Sequence, residues 1–211
     1  MKVINIIGRW IFGVLCTLIG LYPLIYVIAD DNVGLLTQKS QEILASNLWH
    51  IAFYAHIIPG GIALLVGWLQ FSKRLRNRNM GLHRTIGKVY VIAAIIGGLS
   101  GVYLGIYANE GIVSQSGFTL LGIVWVITTF LGFSSARRGG IERHKQFMSY
   151  SYALCFAAVS LRLWMPILAV TFKDPALAYK IVAWWCWVPN LIIVHLYLMR
   201  RTNQLRSSNT I

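Results

Sequence analysis

Residues 48–71 read LWHIAFYAHIIPGGIALLVGWLQF and contain no Asp, Glu, Lys or Arg. About 20 consecutive apolar residues in a helix, each adding about 1.5 Å, match the hydrocarbon thickness of a bilayer. A surface helix of a soluble protein would alternate this apolar character with a polar face. The segment therefore predicts a helix that crosses a membrane.

The rest of the chain has the same character. It has 211 residues, of which 57% are hydrophobic and 12% charged, and its mean hydropathy is +0.64. A soluble domain carries about 25% charged residues, so lipid is the expected solvent. Five more apolar segments are long enough to span a bilayer, and they cover residues 10–29, 89–107, 117–136, 147–172 and 176–199. The sequence predicts an all-α bundle of six transmembrane helices, forming a single transmembrane domain over residues 1–211.

Charge sets the expected orientation. Fifteen of the 19 Lys and Arg residues fall at the N-terminus, in the connections after the second and fourth spans, or in the C-terminal tail. Five of the six acidic residues fall in the opposite connections: Asp30, Asp31, Glu42, Glu110 and Asp174. The positive-inside rule then places both termini in the cytoplasm. This clustering also accounts for the net charge of +13 without a nucleic-acid-binding module, and no nucleic-acid partner is expected.

Two ionisable residues are expected in the outer half of the membrane. Counted along the helical rise, His56 lies about eight residues from the outer face and Arg162 about fifteen residues from the inner face. Ionisable groups inside a bilayer are costly and mark functional sites. No Asp or Glu lies in a predicted span, so Arg162 needs backbone carbonyls, hydrated walls or an anionic ligand. A structural role near Pro166 is the alternative.

Other polar residues suggest an inner site and a pocket wall. His83 and His144 precede the third and fifth spans, near the cytoplasmic interface, and His195 lies one turn from the inner end of the sixth. Two imidazoles from facing helices can ligate haem iron, although interfacial histidines also bind water and headgroups. Trp187 and Asn190 flank Pro189 and predict either a pocket wall or a packing detail.

A stripe of small residues follows one face of the third span. Ala93, Gly97, Gly101 and Gly105 recur every four residues. Such a stripe allows a neighbouring helix to approach closely, and it could also accept a planar cofactor. The three cysteines, Cys16, Cys155 and Cys186, lie singly in apolar runs and predict neither a disulfide nor a zinc site.

Four blocks of sequence resemble bacterial predicted membrane proteins of domain-of-unknown-function family 2306. The blocks are His56 with PGGIALLVGWLQF at 59–71, LHRTIGKVY at 82–90, HKQFM to LRL at 144–163, and AW with WVPNL at 183–191. The resemblance implies a multi-pass protein of the bacterial cytoplasmic membrane, without an assigned activity. It implies that the positions in the family pattern are His56, Gln70, His83, His144, Arg162 and Asn190, with His195 outside it.

The order of histidines is loosely similar to that in ascorbate-reducible transmembrane cytochromes b, which hold two haems in a four-helix bundle. His56, His83 and His144 match three of the four ligand positions, and span 117–136 has no histidine. This similarity implies an inner haem b on His83 and His144, and it leaves an outer haem on His56 without its second ligand.

Three functions follow from these patterns. The first is a b-type haem electron-transfer protein, that is, a membrane oxidoreductase, with His83 and His144 as ligands and His56 and Arg162 as further candidates for cofactor binding. The second is a binding or transport protein for a quinone, lipid or other anionic small molecule, whose pocket contains His56, Arg162, Trp187 and Asn190, with Gln70 as a further candidate. The third is a membrane scaffold subunit that uses the glycine stripe for docking. The chain has no hydrolase motif.

Overall fold

The computed structural model describes residues 2–28 and 34–208, so Asp30 and Asp31 lie outside it. The described residues form helices and contain no strand. The α-helices are α1 (Lys2–Leu21), α2 (Pro23–Ile28), α3 (Gln41–Leu44), α4 (Asn47–Gly67), α5 (Lys73–Arg78), α6 (Met80–Ile106), α7 (Ile112–Arg137), α8 (Ile141–Cys155), α9 (Ala157–Phe172), α10 (Pro175–Trp185) and α11 (Val188–Ser208). Short 3-10 helices cover Gly34–Gln38 and Trp68–Phe71.

Within the described ranges, five helical segments are long and apolar enough to cross a bilayer. They are Asn47–Phe71, Met80–Ile106, Ile112–Arg137, Ile141–Phe172 and Pro175–Gln204. They correspond to the second to sixth predicted spans. The first predicted span corresponds to a shorter apolar stretch, Trp10–Tyr26, in which α1 ends before Pro23, a residue without an N–H to continue the helical ladder.

The outer surface of these helices is apolar. Ile112, Val170 and Trp10 are 76%, 77% and 72% exposed. Exposed apolar side chains on this scale are unusual in a soluble monomer, and helices that satisfy their own backbone are suited to lipid. The arrangement is that of a helical membrane bundle.

Four helices form a ring at the centre of the bundle. Helix α6 packs on α4 and α7, and α7 packs on α8. The ring closes between α8 and α4, where the Tyr152 hydroxyl donates to the carbonyl of Leu64 at 3.0 Å. Helices α1, α10 and α11 pack around the ring, on α4, α7 and α8 respectively. Because short turns join α6 to α7 and α7 to α8, the two diagonal helices α6 and α8 run parallel and begin on the same, arginine-rich side.

The glycine stripe of α6 is used for close packing inside the chain. A Cβ at Gly97 would lie 3.3 Å from the backbone nitrogen of Gly60 in α4, and one at Gly105 would lie 2.7 Å from that of Thr119 in α7. The prediction of close helix packing is therefore confirmed. These stripe positions face α4 and α7 of the same chain, which removes the structural argument for a scaffold or a planar cofactor on this face.

Two neighbouring spans are broken, and one amide joins the breaks. Helix α8 gives way to α9 at Phe156, and α10 gives way to α11 at Cys186 and Trp187. The Nδ2 atom of Asn190 donates to the carbonyls of Ala153 at 3.2 Å and Cys186 at 2.9 Å. A helix break leaves carbonyls that lipid cannot satisfy, so Asn190 replaces the lost helical partners.

We predict that Asn190→Leu destabilises the protein. The substitution leaves the two carbonyls unpaired in a dry environment, and a lost partner of this kind costs about 1–3 kcal/mol. The free energy of unfolding, measured by SDS titration with circular dichroism, should fall by that amount. Asn203→Leu, at an exposed position of the same helix, is the control. Equal SDS midpoints for wild type and Asn190→Leu would contradict this role.

Candidate functional site

A buried polar network crosses the ring from α6 to α8. The hydroxyls of Tyr90 and Ser151 lie 2.7 Å apart, and Thr129 of α7 contacts Ser151 at 2.6 Å. The Trp125 indole donates to the Tyr90 hydroxyl at 3.5 Å. Tyr90 is 1% exposed and Ser151 0%, so these groups meet near the axis of the four helices.

This contact fixes the register of His83 and His144. Each histidine precedes its network residue by seven positions, His83 before Tyr90 and His144 before Ser151. Seven residues are almost two full turns, or about 10.5 Å along the axis, so each histidine shares the face of its network residue. Because α6 and α8 are parallel, positions 83 and 144 lie at the same level on two diagonal helices of the ring.

His144 is oriented by the neighbouring helix α7. Its Nδ1–H donates to the carbonyl of Gly132 at 2.9 Å, because a carbonyl can only accept. This bond fixes the tautomer in which Nε2 carries the free lone pair. Histidines that ligate metals are commonly held in this way through the other ring nitrogen.

Two buried polar atoms at the N-terminal end of α6 lack partners. They are Nδ1 of His83 and Nε2 of Gln70, which form no hydrogen bond to any part of the chain that the structure describes. Gln70 lies against α6, since a Cβ at Gly87 would be 3.5 Å from its Oε1, and Gly87 is one turn beyond His83. Unsatisfied buried polar atoms are rare in native proteins and indicate a missing ligand or water. We call Gln70, His83, Gly87 and His144 the inner site.

His56 and Arg162 lie within electrostatic range of each other. The His56 Nδ1–H donates to the carbonyl of Gly97 at 2.7 Å. Arg162 donates from Nη1 to the carbonyl of Ala158 at 2.9 Å, and its guanidinium lies 4.5 Å above the ring of Tyr22.

The other two residues of the predicted pocket are occupied by structural contacts. The Trp187 indole donates to the carbonyl of Ala183 at 3.0 Å, and Asn190 joins the two helix breaks. Their polar groups are therefore engaged within the protein. The alternative interpretation, a packing detail beside Pro189, describes these contacts better.

The remaining histidines lie away from both positions. His195 is exposed and contacts the hydroxyl of Tyr150 at 2.8 Å. His50 contacts the carbonyl of Leu44 at 2.8 Å, at the start of α4.

In the nearby connection, Lys39 donates to the Tyr107 carbonyl and to Asn109, and partial burial lowers the pKa of Lys39. These contacts fasten the connection between α2 and α4 to the turn after α6.

Sequence reasoning missed the network of Tyr90, Trp125, Thr129 and Ser151. The signal was present, since hydroxyl residues interrupt the fourth span and Tyr90 and Ser151 fall within the quoted blocks. Such residues are common in membrane helices, where they bond to their own backbone. Only the packing of three helices shows that these hydroxyls meet.

The protein ligands available to a metal are few. The described residues contain no group of three or more His, Cys, Asp or Glu side chains that could hold an ion.

Comparison with known proteins identifies the family. The family model for "Predicted membrane protein (DUF2306)" matches residues 53–198, about two thirds of the chain. The chain belongs to DUF2306. No curated protein and no solved structure matches it significantly. As a DUF2306 member with several apolar helices of spanning length, it is a multi-pass membrane protein, and the inner site and Arg162 lie in the matched segment.

Proposed function

We propose that this DUF2306 protein binds one b-type haem at the inner site and transfers electrons in the bacterial cytoplasmic membrane, with His83 and His144 as the residues that would hold the iron. The observation that carries the proposal is their register on opposite, parallel helices of the ring, set by the contact of Tyr90 with Ser151 at 2.7 Å. Two imidazoles at one level across a four-helix bundle are a ligand set for haem iron.

The residues present fit such a group. The tautomer of His144 leaves Nε2 available, and the unpaired nitrogens of His83 and Gln70 lack a partner among the described residues. The axes of neighbouring helices in a bundle lie about 8–10 Å apart, so the axes of diagonal helices lie about 11–14 Å apart. This distance leaves room between α6 and α8 for more than two side chains in contact. Arg76 and Arg84 lie within electrostatic range of His83 and can pair with propionates.

When bound, haem would supply one-electron transfer, and the chain's residues would hold and tune it. Gly132 orients His144 through its carbonyl. Gln70 places an amide at the site edge. The network of Tyr90, Trp125, Thr129 and Ser151 closes the ring above the site and limits the entry of water from the outer half.

The proposal includes a six-helix topology with both termini in the cytoplasm, in a single domain. The stretch Trp10–Tyr26 is the first crossing in this topology, since α1 begins at Lys2 and extends it. The positive-inside rule places the start of α6 and α8 on the cytoplasmic side. The inner site is then accessible to a cytoplasmic electron donor.

Haemin titration tests the proposal. Protein purified in a neutral detergent, without haem, should give a saturable Soret band at one haemin per chain, with the spectrum of six-coordinate, low-spin iron. Gly87→Leu, which places a side chain inside the inner site, should weaken this binding, whereas Gly81→Leu, at an exposed position on the same helix, should not. Absence of saturable binding in the wild type would overturn the proposal.

A further inference from the structure

Arg162 carries a charge that no acid in the described structure neutralises. Among residues 2–28 and 34–208, the ion pair that the structure contains joins Lys145 to Glu142. Arg162 is half-buried in the fifth span, and one of its five N–H groups donates to the carbonyl of Ala158. A cation in low dielectric without a counter-charge is costly, so its retention needs an explanation.

Two ring side chains, those of Tyr22 and His56, lie near Arg162. Tyr22 lies beneath the guanidinium and holds it by a cation–π contact, with 4.5 Å between Cζ and the ring centroid. The His56 ring lies within electrostatic range, and its Nδ1–H is already given to Gly97. Nε2 is therefore the remaining polar atom of the ring, and no described residue forms a hydrogen bond with it. Gly101 leaves the ring room, because a Cβ there would lie 2.9 Å from Nδ1.

We propose that Arg162, His56 and Tyr22 form a binding site in the outer half of the membrane for an oxyanion, the carboxylate or phosphate group of a ligand. The planar fork of a guanidinium matches two oxygens of such a group, and charge-assisted hydrogen bonds are stronger where water is excluded. Neutral His56 accepts a hydrogen bond at Nε2 from a protonated oxygen of the ligand, and protonated His56 donates a hydrogen bond from Nε2 to an ionised oxygen. The group comes from a solute on the outer side or from an anionic lipid. This site is separate from the inner site and does not rest on haem binding.

Thermal unfolding in dodecyl maltoside tests the site. The probes are sodium benzoate, inorganic phosphate and phosphatidylglycerol, each compared with sodium chloride at equal ionic strength. We expect at least one probe to raise the Tm of wild type in a saturable way. Arg162→Gln should weaken its apparent Kd by about 10-fold or more, the loss expected for charged hydrogen bonds. Arg162→Lys should retain part of the binding.

Two further variants separate the site from general effects of charge. Lys173→Gln removes an exposed cation at the end of the same helix and should respond to the probes as wild type does. His56→Asn keeps an N–H near the position of Nδ1 for the Gly97 carbonyl but removes Nε2, and it should bind the probe more weakly. Circular dichroism checks that each variant is folded.

The outcomes distinguish the source of the anion and the fate of the proposal. A response to benzoate or phosphate indicates a solute, a response to phosphatidylglycerol alone indicates a lipid headgroup, and both support the site. The proposal is overturned if no probe raises the wild-type Tm above the chloride baseline, or if Arg162→Gln responds as wild type does. The double variant Asp30→Asn/Asp31→Asn gives a further test. If a probe raises the Tm of this variant but not that of the wild type, an acid of the chain is the counter-ion of Arg162 and the proposal is overturned.

Discussion

Replacing His83 with alanine should remove the low-spin haem spectrum from the purified protein, and replacing His144 should do the same. Each imidazole supplies one of two axial bonds, so neither variant can form six-coordinate, low-spin iron from the chain's own ligands at the inner site. The loss of a metal ligand costs more than the 10–100-fold in affinity that loss of a supporting residue costs. The change is measured by haem content per chain and by the optical spectrum after purification.

His195→Ala and His50→Ala are the matched controls. Both residues hydrogen bond elsewhere, His195 to Tyr150 and His50 to the carbonyl of Leu44. Both variants should keep the wild-type spectrum and haem content. Retention of a low-spin spectrum in the double variant His83→Ala/His144→Ala would show that the ligands lie elsewhere.

Gly101→Leu should strongly destabilise the fold. A Cβ at this position would lie 2.9 Å from Nδ1 and 3.0 Å from Cε1 of His56. The imidazole must then leave its hydrogen bond with Gly97, or α4 must move away from α6. Overpacking of this kind costs about 1–3 kcal/mol before the lost hydrogen bond is added. We expect the monodisperse peak in size-exclusion chromatography to fall at least several-fold and the SDS midpoint to drop.

Gly60→Leu is the matched control on the partner helix. A Cβ at Gly60 meets no atom within 4 Å, so the larger side chain has space. This variant should purify as wild type does. Equal yields and midpoints for Gly101→Leu and wild type would mean that α4 and α6 do not pack through this glycine.

The apolar runs predict the spans well because lipid imposes one requirement, length without charge. The second to sixth predicted spans each coincide with a helical segment long enough to cross, and only the third, 89–107, ends one residue beyond its segment, Met80–Ile106. The helices themselves extend further, and α6 begins at Met80 rather than at residue 89. The side chain of Asn79 caps this helix by accepting a hydrogen bond from the backbone N–H of Leu82 at 2.8 Å. The helix was predicted too short because its first turns are polar, and a hydropathy criterion detects only the apolar part. The first predicted span is divided at Tyr22, where Pro23 interrupts the helical ladder.

The sites could be predicted only in part. Counting residues from each face predicted one depth for His56 and Arg162, and the two residues lie within electrostatic range of each other. Positions 83 and 144 lie at one level because α6 and α8 are aligned across the ring. No local sequence pattern predicts this alignment. Asn190 was predicted as either a pocket wall or a packing detail, and its contact with Ala153 depends on a break at Phe156 that no proline marks. Its role in joining the two breaks was therefore not readable from the sequence.

The most direct measurement is the haem content and reduced absorption spectrum of wild-type protein purified from cells supplied with a haem precursor. The account predicts one haem b per chain and, on addition of dithionite, a Soret shift with the sharp bands of bis-imidazole iron. A colourless protein that also fails to take up added haemin would contradict it.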